Sequence, residues 1–196
     1  FFSIITINRN NAKGLEDTIQ SVLSQDRNLY EFIIIDGASS DNSGGNKENE
    51  SQIHYYISEP DTGIYNAMNK GIDKAKGEYA IFMNSGDSFR TNALNDISKN
   101  NLNADFLFSG WTRIKNGKKL APIYQGKDHF IHLFYHSTCV CHQATFIKVS
   151  VLKELQGYEE KLKVSADICF VMKALVVHYK TFQILPYYIT NLDVTG

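Results

Sequence analysis

Tyr79-Ala80-Ile81-Phe82-Met83-Asn84-Ser85-Gly86-Asp87-Ser88 is an apolar run that stops abruptly in a short polar loop ending on a carboxylate. The consecutive apolar residues 79–83 read as a strand buried on both faces. The polar loop then leaves that strand at its C-terminal end. In open α/β sheets ligands bind at this edge. Asp87 is therefore well sited to hold a divalent cation against a phosphate.

Upstream of this loop the chain alternates. Residues 2–7 form a short apolar run, a candidate strand, and Leu15, Ile19, Val22 and Leu23 then recur at helical spacing. Residues 32–35 predict a second buried strand, closed by Asp36-Gly37, and residues 53–57 a third. Between them Ser39-Ser40-Asp41 reads as a helix start that Gly44-Gly45 keeps short. Asp61-Thr62-Gly63 opens a helix with Ile64, Met68, Ile72 and Ala75 on one face, ended by Gly77. Such alternation predicts a parallel sheet with right-handed crossovers and helices on both faces.

Downstream the style changes. Residues 106–109 predict another strand, and 111–115 and 120–124 flank Asn116-Gly117 as a hairpin. Ser165 predicts a helix cap, with Ile168, Val171, Met172 and Leu175 on one face, and 182–185 a last strand before Pro186. The expected organisation is one domain over 1–196: a nucleotide-binding half, 1–88, and an acceptor and catalytic-base half, 89–196. The chain begins without Met and stops soon after a strand, so both ends read as trimmed.

With 196 residues, 43% hydrophobic and 21% charged, the chain suits an ordinary globular protein with a real core. A formal net charge of −1 argues against a nucleic-acid binder. No apolar run reaches the ~18 residues that span a bilayer, and residues 1–7 are too short for a secretory signal. Cys139, Cys141 and Cys169 are an odd set, the first two too close for an easy mutual bridge, so free thiols in a reducing cytosol are expected.

Three acids carry the functional argument. Asp36 and Asp87 each follow a parallel strand and so share one sheet edge. Asp167 begins a late helix beside Ser165, where the helix N-terminus favours the anion and leaves it able to accept a proton. Singly, each has an ordinary explanation as a turn, loop or helix-start residue.

Together with their neighbours they carry a resemblance. The segments are Ile4-Ile5-Thr6-Ile7-Asn8-Arg9, Ile34-Ile35-Asp36-Gly37-Ala38-Ser39-Ser40-Asp41, Glu59-Pro60-Asp61-Thr62-Gly63-Ile64-Tyr65-Asn66-Ala67-Met68-Asn69-Lys70-Gly71 and Asn84-Ser85-Gly86-Asp87, followed by Cys141-His142-Gln143-Ala144-Thr145-Phe146 and 158–170. In this order the chain resembles glycosyltransferase family 2, in particular bacterial members that build capsular or exopolysaccharide repeat units. The resemblance implies an α/β GT-A fold: a Rossmann-like, mostly parallel sheet with helices on both faces and a small antiparallel hairpin addition in the second half. It implies inverting, metal-dependent transfer of a hexose or N-acetylhexosamine from a nucleoside diphosphate sugar to a saccharide or lipid-linked acceptor. The cofactor implied is Mn²⁺ or Mg²⁺, and the place is the cytoplasm, peripheral to the inner face of the membrane.

The roles follow position by position. Thr6, Ile7 and Asn8 match the segment that cradles the nucleotide, and Asp36 the acid that hydrogen-bonds the base. Asp61 and Gly63 match the lining of the nucleotide and sugar pocket. The segment from Asn84 and Ser85 to Asp87 matches the metal-binding acidic motif, and Asp167 the catalytic base. His142 matches a position near the acceptor.

The chain also departs from the family pattern. An Asp-any-Asp motif is usual, yet Asn84 and Gly86 stand where acids are expected, and only Asp87 remains. One protein carboxylate suffices if the diphosphate and water fill the rest of a hard cation's oxygen shell. These losses motivate a rival reading, a catalytically inactive nucleotide-sugar binding module. A nucleotidyltransferase would need a Gly- and Lys-rich loop after the first strand, where the chain has only residues 10–14. A zinc-stabilised interaction domain is the reading of the His129, His132, His136, Cys139, Cys141 and His142 cluster, whose spacing matches no standard finger. Arg113, Lys115, Lys118 and Lys119 crowd the hairpin, as a solvated face or a contact for anionic lipid headgroups.

Overall fold

β1 (Phe2–Asn8) pairs in parallel with β2 (Tyr30–Asp36) on one side and β4 (Tyr79–Phe82) on the other, and β2 pairs in parallel with β3 (Tyr55–Ser58). The structure is a computed structural model and describes residues 1–44, 51–124 and 140–194. β1, β2 and β4 are buried along their whole length, the pattern expected of parallel strands covered on both faces. β3 alternates between half-buried and exposed because it is the edge strand of the sheet.

The sheet continues across β4. β8 (Thr145–Lys148) runs antiparallel to β4, and β6 (Phe106–Lys115) antiparallel to β8. β9 (Phe182–Asp193) lies parallel to β6, and the short β5 (Ser88–Phe89) closes the path antiparallel to β9. Among the described residues the order is β3-β2-β1-β4-β8-β6-β9-β5, with β7 (Lys118–Lys119) paired to β6. One continuous sheet thus runs through both halves of the chain.

Residues alternate between two cores along the strands. Ile5, Ile7, Ile33, Ile35 and Phe82 pack under α2 (Ile64–Lys74), α4 (Val149–Glu154) and α5 (Ala166–Met172). Phe2, Ile4, Phe32, Ile34 and Ile81 pack under α1 (Ala12–Leu23) and α3 (Ala93–Ser98). Helices therefore cover both faces.

Several expectations shift. The helix after Ser39-Ser40-Asp41 is a 3₁₀ turn at 42–44, with 45–50 outside the described residues. β6 runs unbroken through Gly110, joining what the sequence split into two strands. The hairpin turns at Asn116-Gly117 with φ of 49° and 72°, but its return arm is only β7 plus a single bridge, Trp111 to Ile123. β9 does not stop at Pro186. The register against β6 slips between Phe108 and Gly110, and a missing N–H is tolerated at such an irregularity. Ser165 occupies the cap position of α5 with left-handed φ of 65° and makes no side-chain cap. The buried face of α5 centres on Ala166, Phe170 and Val171, with Ile168, Met172 and Leu175 packed at its margin.

Candidate active site

The carboxyl ends of β1, β2 and β4 meet the start of α2 around a cleft of ≈ 280 Å³. Ile7, Asn8, Arg9, Asp61, Gly63, Ile64, Ala67, Asn84 and Ser85 line it. Ile7, Asn8, Asp61, Gly63, Asn84 and Ser85, which the sequence reading assigns to donor binding, thus share one cleft. Gly63 adopts φ of 143°, which a side chain rarely tolerates, and this lets the chain turn into α2 beside the cleft. Ile64 is not a core residue of α2: it is 42% exposed, and it forms part of the cleft wall.

Thr6 and Asp36 are not among the residues that line this cleft. Thr6 is fully buried and does not line the cleft. It lies on the α1 side of β1, because successive strand residues face opposite sides, and its Oγ1 has no hydrogen-bond partner. Asp36 is 1% exposed and ends β2 opposite Asn8 of β1. Its Oδ1 accepts from Asn8 Nδ2 at 2.7 Å and Ser39 Oγ at 2.5 Å. Its Oδ2 accepts from the Ser39 N–H at 2.9 Å and Ser58 Oγ at 2.6 Å. Burial raises the Asp36 carboxyl, but these hydrogen bonds outweigh it and hold the group below the usual carboxylate range. The carboxylate ties β1, β2 and β3 together and fixes Asn8. Asn8 Oδ1 is left buried and without a partner.

The acidic loop is fastened from α1. Thr18 Oγ1 donates to the Asp87 carbonyl at 2.7 Å and accepts from the Gly86 N–H at 3.0 Å, and Asn11 Nδ2 donates to the Ser85 carbonyl at 3.0 Å. Across the loop lies a 3₁₀ turn, His142–Ala144. Gln143 Nε2 donates to Asp87 Oδ2 at 2.8 Å. His142 Nε2 meets Asn84 Nδ2 at 3.1 Å, and its Nδ1 meets Asp167 Oδ2 at 3.1 Å. One neutral tautomer satisfies both contacts: Nε2 accepts from Asn84, and Nδ1–H donates to Asp167. His142 thus links the acidic loop to Asp167 through both ring nitrogens.

Asp167 is also held from α2. Tyr65 Oη donates to Asp167 Oδ1 at 3.2 Å and accepts from the Ala166 N–H at 3.1 Å, which supplies the satisfaction at the start of α5 that Ser165 does not. Burial pushes the Asp167 carboxyl up, but the hydrogen bonds from His142, the Ile168 N–H and Tyr65 together hold it below the usual range. Burial and the charge of Asp167 raise the Tyr65 phenol. The Asp167 side chain is 18% exposed.

Among the described residues no three His, Cys, Asp or Glu side chains converge to hold a metal. His129, His132, His136 and Cys139 of the suspected zinc cluster lie outside those residues. The acidic loop nevertheless suits a hard cation. Asn84 Oδ1 is buried without a hydrogen-bond partner, and Asp87 offers a carboxylate in the same loop.

The sequence profile described as Glycosyl transferase family 2 matches residues 3–156. The chain belongs to glycosyl transferase family 2. An uncharacterised glycosyltransferase of Mycobacterium tuberculosis is 32% identical over 183 residues, covering 89% of this chain and 69% of its own length. A Bacillus subtilis glycosyltransferase named for teichuronic acid biosynthesis is 32% identical over 96 residues, 47% of this chain and 38% of its own. The S. aureus TarS 1–349 structure in complex with UDP superposes with a TM-score of 0.81 at 20% identity, covering 98% of this chain and 60% of that one. The Pyrobaculum calidifontis mannosyltransferase PcManGT, in complex with GDP-Man and Mn²⁺, gives a TM-score of 0.73 at 15% identity, covering 97% and 56%. The family 2 chain therefore has the GT-A fold, and it spans about three fifths of the length of the solved chains it matches. Tyr65, Gln143 and Arg9 are site residues that the sequence reading did not single out, although all three stand inside the quoted family segments.

Proposed function

We propose that this chain is the catalytic part of an inverting, metal-dependent glycosyltransferase that uses a nucleoside diphosphate sugar. The observation that supports it most is the contact path Asp87–Gln143–His142–Asp167, in which consecutive residues of one turn bring the acidic loop and the base to one site. The path opens beside the cleft that Asn8, Asp61, Asn84 and Ser85 line.

The acceptor hydroxyl loses its proton to Asp167, which its neighbours keep ionised at neutral pH. The acceptor oxygen forms the new bond to the anomeric carbon as the bond to the diphosphate oxygen breaks, and the diphosphate leaves with the electron pair. A single displacement inverts that carbon. Asp87, with Asn84 Oδ1 beside it, would hold a divalent cation, Mn²⁺ or Mg²⁺, which when bound offsets charge building on the leaving diphosphate. Asn8 and Asp61 orient the donor, and Arg9, 3.8 Å from Asp61 and largely exposed, adds positive charge at the cleft mouth.

The family resemblance and the teichuronic-acid relative support a saccharide or lipid-linked acceptor in capsule or exopolysaccharide assembly. Among the described residues no helix is long and apolar enough to cross a membrane. Exposed Arg113, Lys115 and Lys118 on the β6–β7 hairpin are the basic groups that would meet anionic headgroups at the inner face of the membrane.

A thermal-shift screen of nucleoside diphosphates and their sugars, with Mn²⁺ and with chelator, tests the donor. At about 100 Kd a true ligand adds about 2.7 kcal/mol. Asp167→Asn should abolish transfer with little loss of donor affinity. Donor binding without transfer or hydrolysis, for any acceptor and metal, would leave the inactive binding module as the surviving account.

A further inference from the structure

The turn His142–Ala144 is anchored more firmly than a surface loop. Ser109 Oγ, fully buried in β6, donates to the Ala144 carbonyl at 2.7 Å. Thr145 Oγ1 and the Ala144 N–H both donate to the Cys141 carbonyl, at 2.8 Å and 2.9 Å. From this fixed base two consecutive side chains diverge. His142 takes Asp167 and Asn84, and Gln143 takes Oδ2 of Asp87 at 2.8 Å. The turn therefore grips both ends of the loop 84–87 and the carboxylate of α5 at once.

We propose that Gln143 is a positioning residue for Asp87: its amide fixes the carboxylate rotamer for a divalent cation and keeps it at a set offset from the base. The proposal rests on the metal reading of Asp87 given above. The chemistry favours an amide here. With Asn84 and Gly86 where acids are usual, Asp87 is the one carboxylate of the loop 84–87. A Lys or Arg in place of Gln143 would orient Asp87 but neutralise it, in competition with the metal. An amide N–H orients it and leaves its charge intact. Partners that orient a ligand in this way typically set metal affinity by about 10- to 100-fold.

The test is calorimetric titration of the chain with UDP and with GDP, each in Mn²⁺ and in chelator. The readout is the ratio of the two affinities. In Gln143→Leu the Mn²⁺ enhancement should fall by about 10-fold, while affinity in chelator and the melting temperature in chelator stay at wild-type values. Gln143→Met, unbranched and also lacking the N–H, replaces it if the Leu variant does not fold. In an Asp87→Ala background Gln143→Leu should change nothing further, because a residue that acts through Asp87 has no effect once Asp87 is gone. A wild-type ratio in both Gln143 variants, or effects of Gln143 and Asp87 that add, overturns the proposal. If the wild-type chain itself shows no Mn²⁺ enhancement with either nucleotide, the metal reading of Asp87 falls and this inference with it. If the wild type shows the enhancement and Gln143→Leu keeps it, only the role of Gln143 falls.

Discussion

Asp167 is pulled in two directions. Burial favours the neutral acid, and His142, the Ile168 N–H and Tyr65 favour the anion and win. Its carboxyl therefore sits below the ordinary value of 3.8, and a base of this kind stays competent across the neutral range. Removing His142 leaves burial with weaker opposition. In His142→Ala the Asp167 pKa should rise, and kcat/KM should then fall as pH drops through the raised value, where the wild-type profile stays flat. The profile of kcat/KM between pH 5 and 8 checks this, on the scale of general-base chemistry near about pH 7. An acid limb that does not move would show that Asp167 is not the group being titrated. The residue scale is also where the sequence was least legible. Thr6 and Asp36 match the family segment, yet the strand period turns Thr6 to the α1 side, and four donors enclose the Asp36 carboxylate. Which face a side chain takes, and how many donors reach it, depends on neighbours that are distant in sequence.

At the scale of elements, the parallel strands were readable because a strand buried on both faces must be apolar throughout. The antiparallel half was less so. β6 and β9 owe their length to pairing with each other, and nothing local in 106–115 or 182–193 announces it. Helical spacing puts Ile64 on one face with Met68, Ile72 and Ala75, but Ile64 is exposed at the cleft, and Tyr65 is buried along with Met68, Ile72 and Ala75. Tyr65 then carries the contact between α2 and α5 that fixes Asp167. The closeness of α2 to β1 depends on Gly71, where an added Cβ would come within 2.4 Å of Ile5 Cγ2. Gly71→Val should overpack this contact and cost about 1–3 kcal/mol. It should also tilt the helix that bears Gly63 and Tyr65, so transfer should fall more than stability alone accounts for. Urea unfolding beside initial rates at saturating donor separates the two effects. A variant as stable as wild type would mean that the helix and strand part without penalty.

For the whole molecule, the continuous sheet and the apolar cores on its two faces join the two halves, and the carboxyl edge of the sheet adds polar ties. The apolar cores on the two faces are divided by the sheet itself, whereas Asp36 joins β1, β2 and β3, and Asp167 joins α2, α5 and the turn at 142–144. Both carboxyls are held below 3.8 in the folded chain. Groups of that kind stabilise the fold fully above their unfolded value, and the contribution is lost as pH falls through their folded values. Stability should therefore be level between about pH 5 and 8 and decline below about pH 4. Asp36→Asn identifies one source of that decline. An amide there turns one oxygen acceptor into a donor facing donors, leaving buried groups unpaired at a cost of about 1–3 kcal/mol at neutral pH. As pH falls through its depressed folded value the wild-type carboxylate itself takes up a proton and loses the same advantage. The gap between wild type and Asp36→Asn in urea midpoint should therefore be widest at pH 7 and narrow progressively as the acid range is entered. A gap that stays constant with pH would show that Asp36 contributes through packing rather than through its charge, and would transfer the acid sensitivity to other carboxyls.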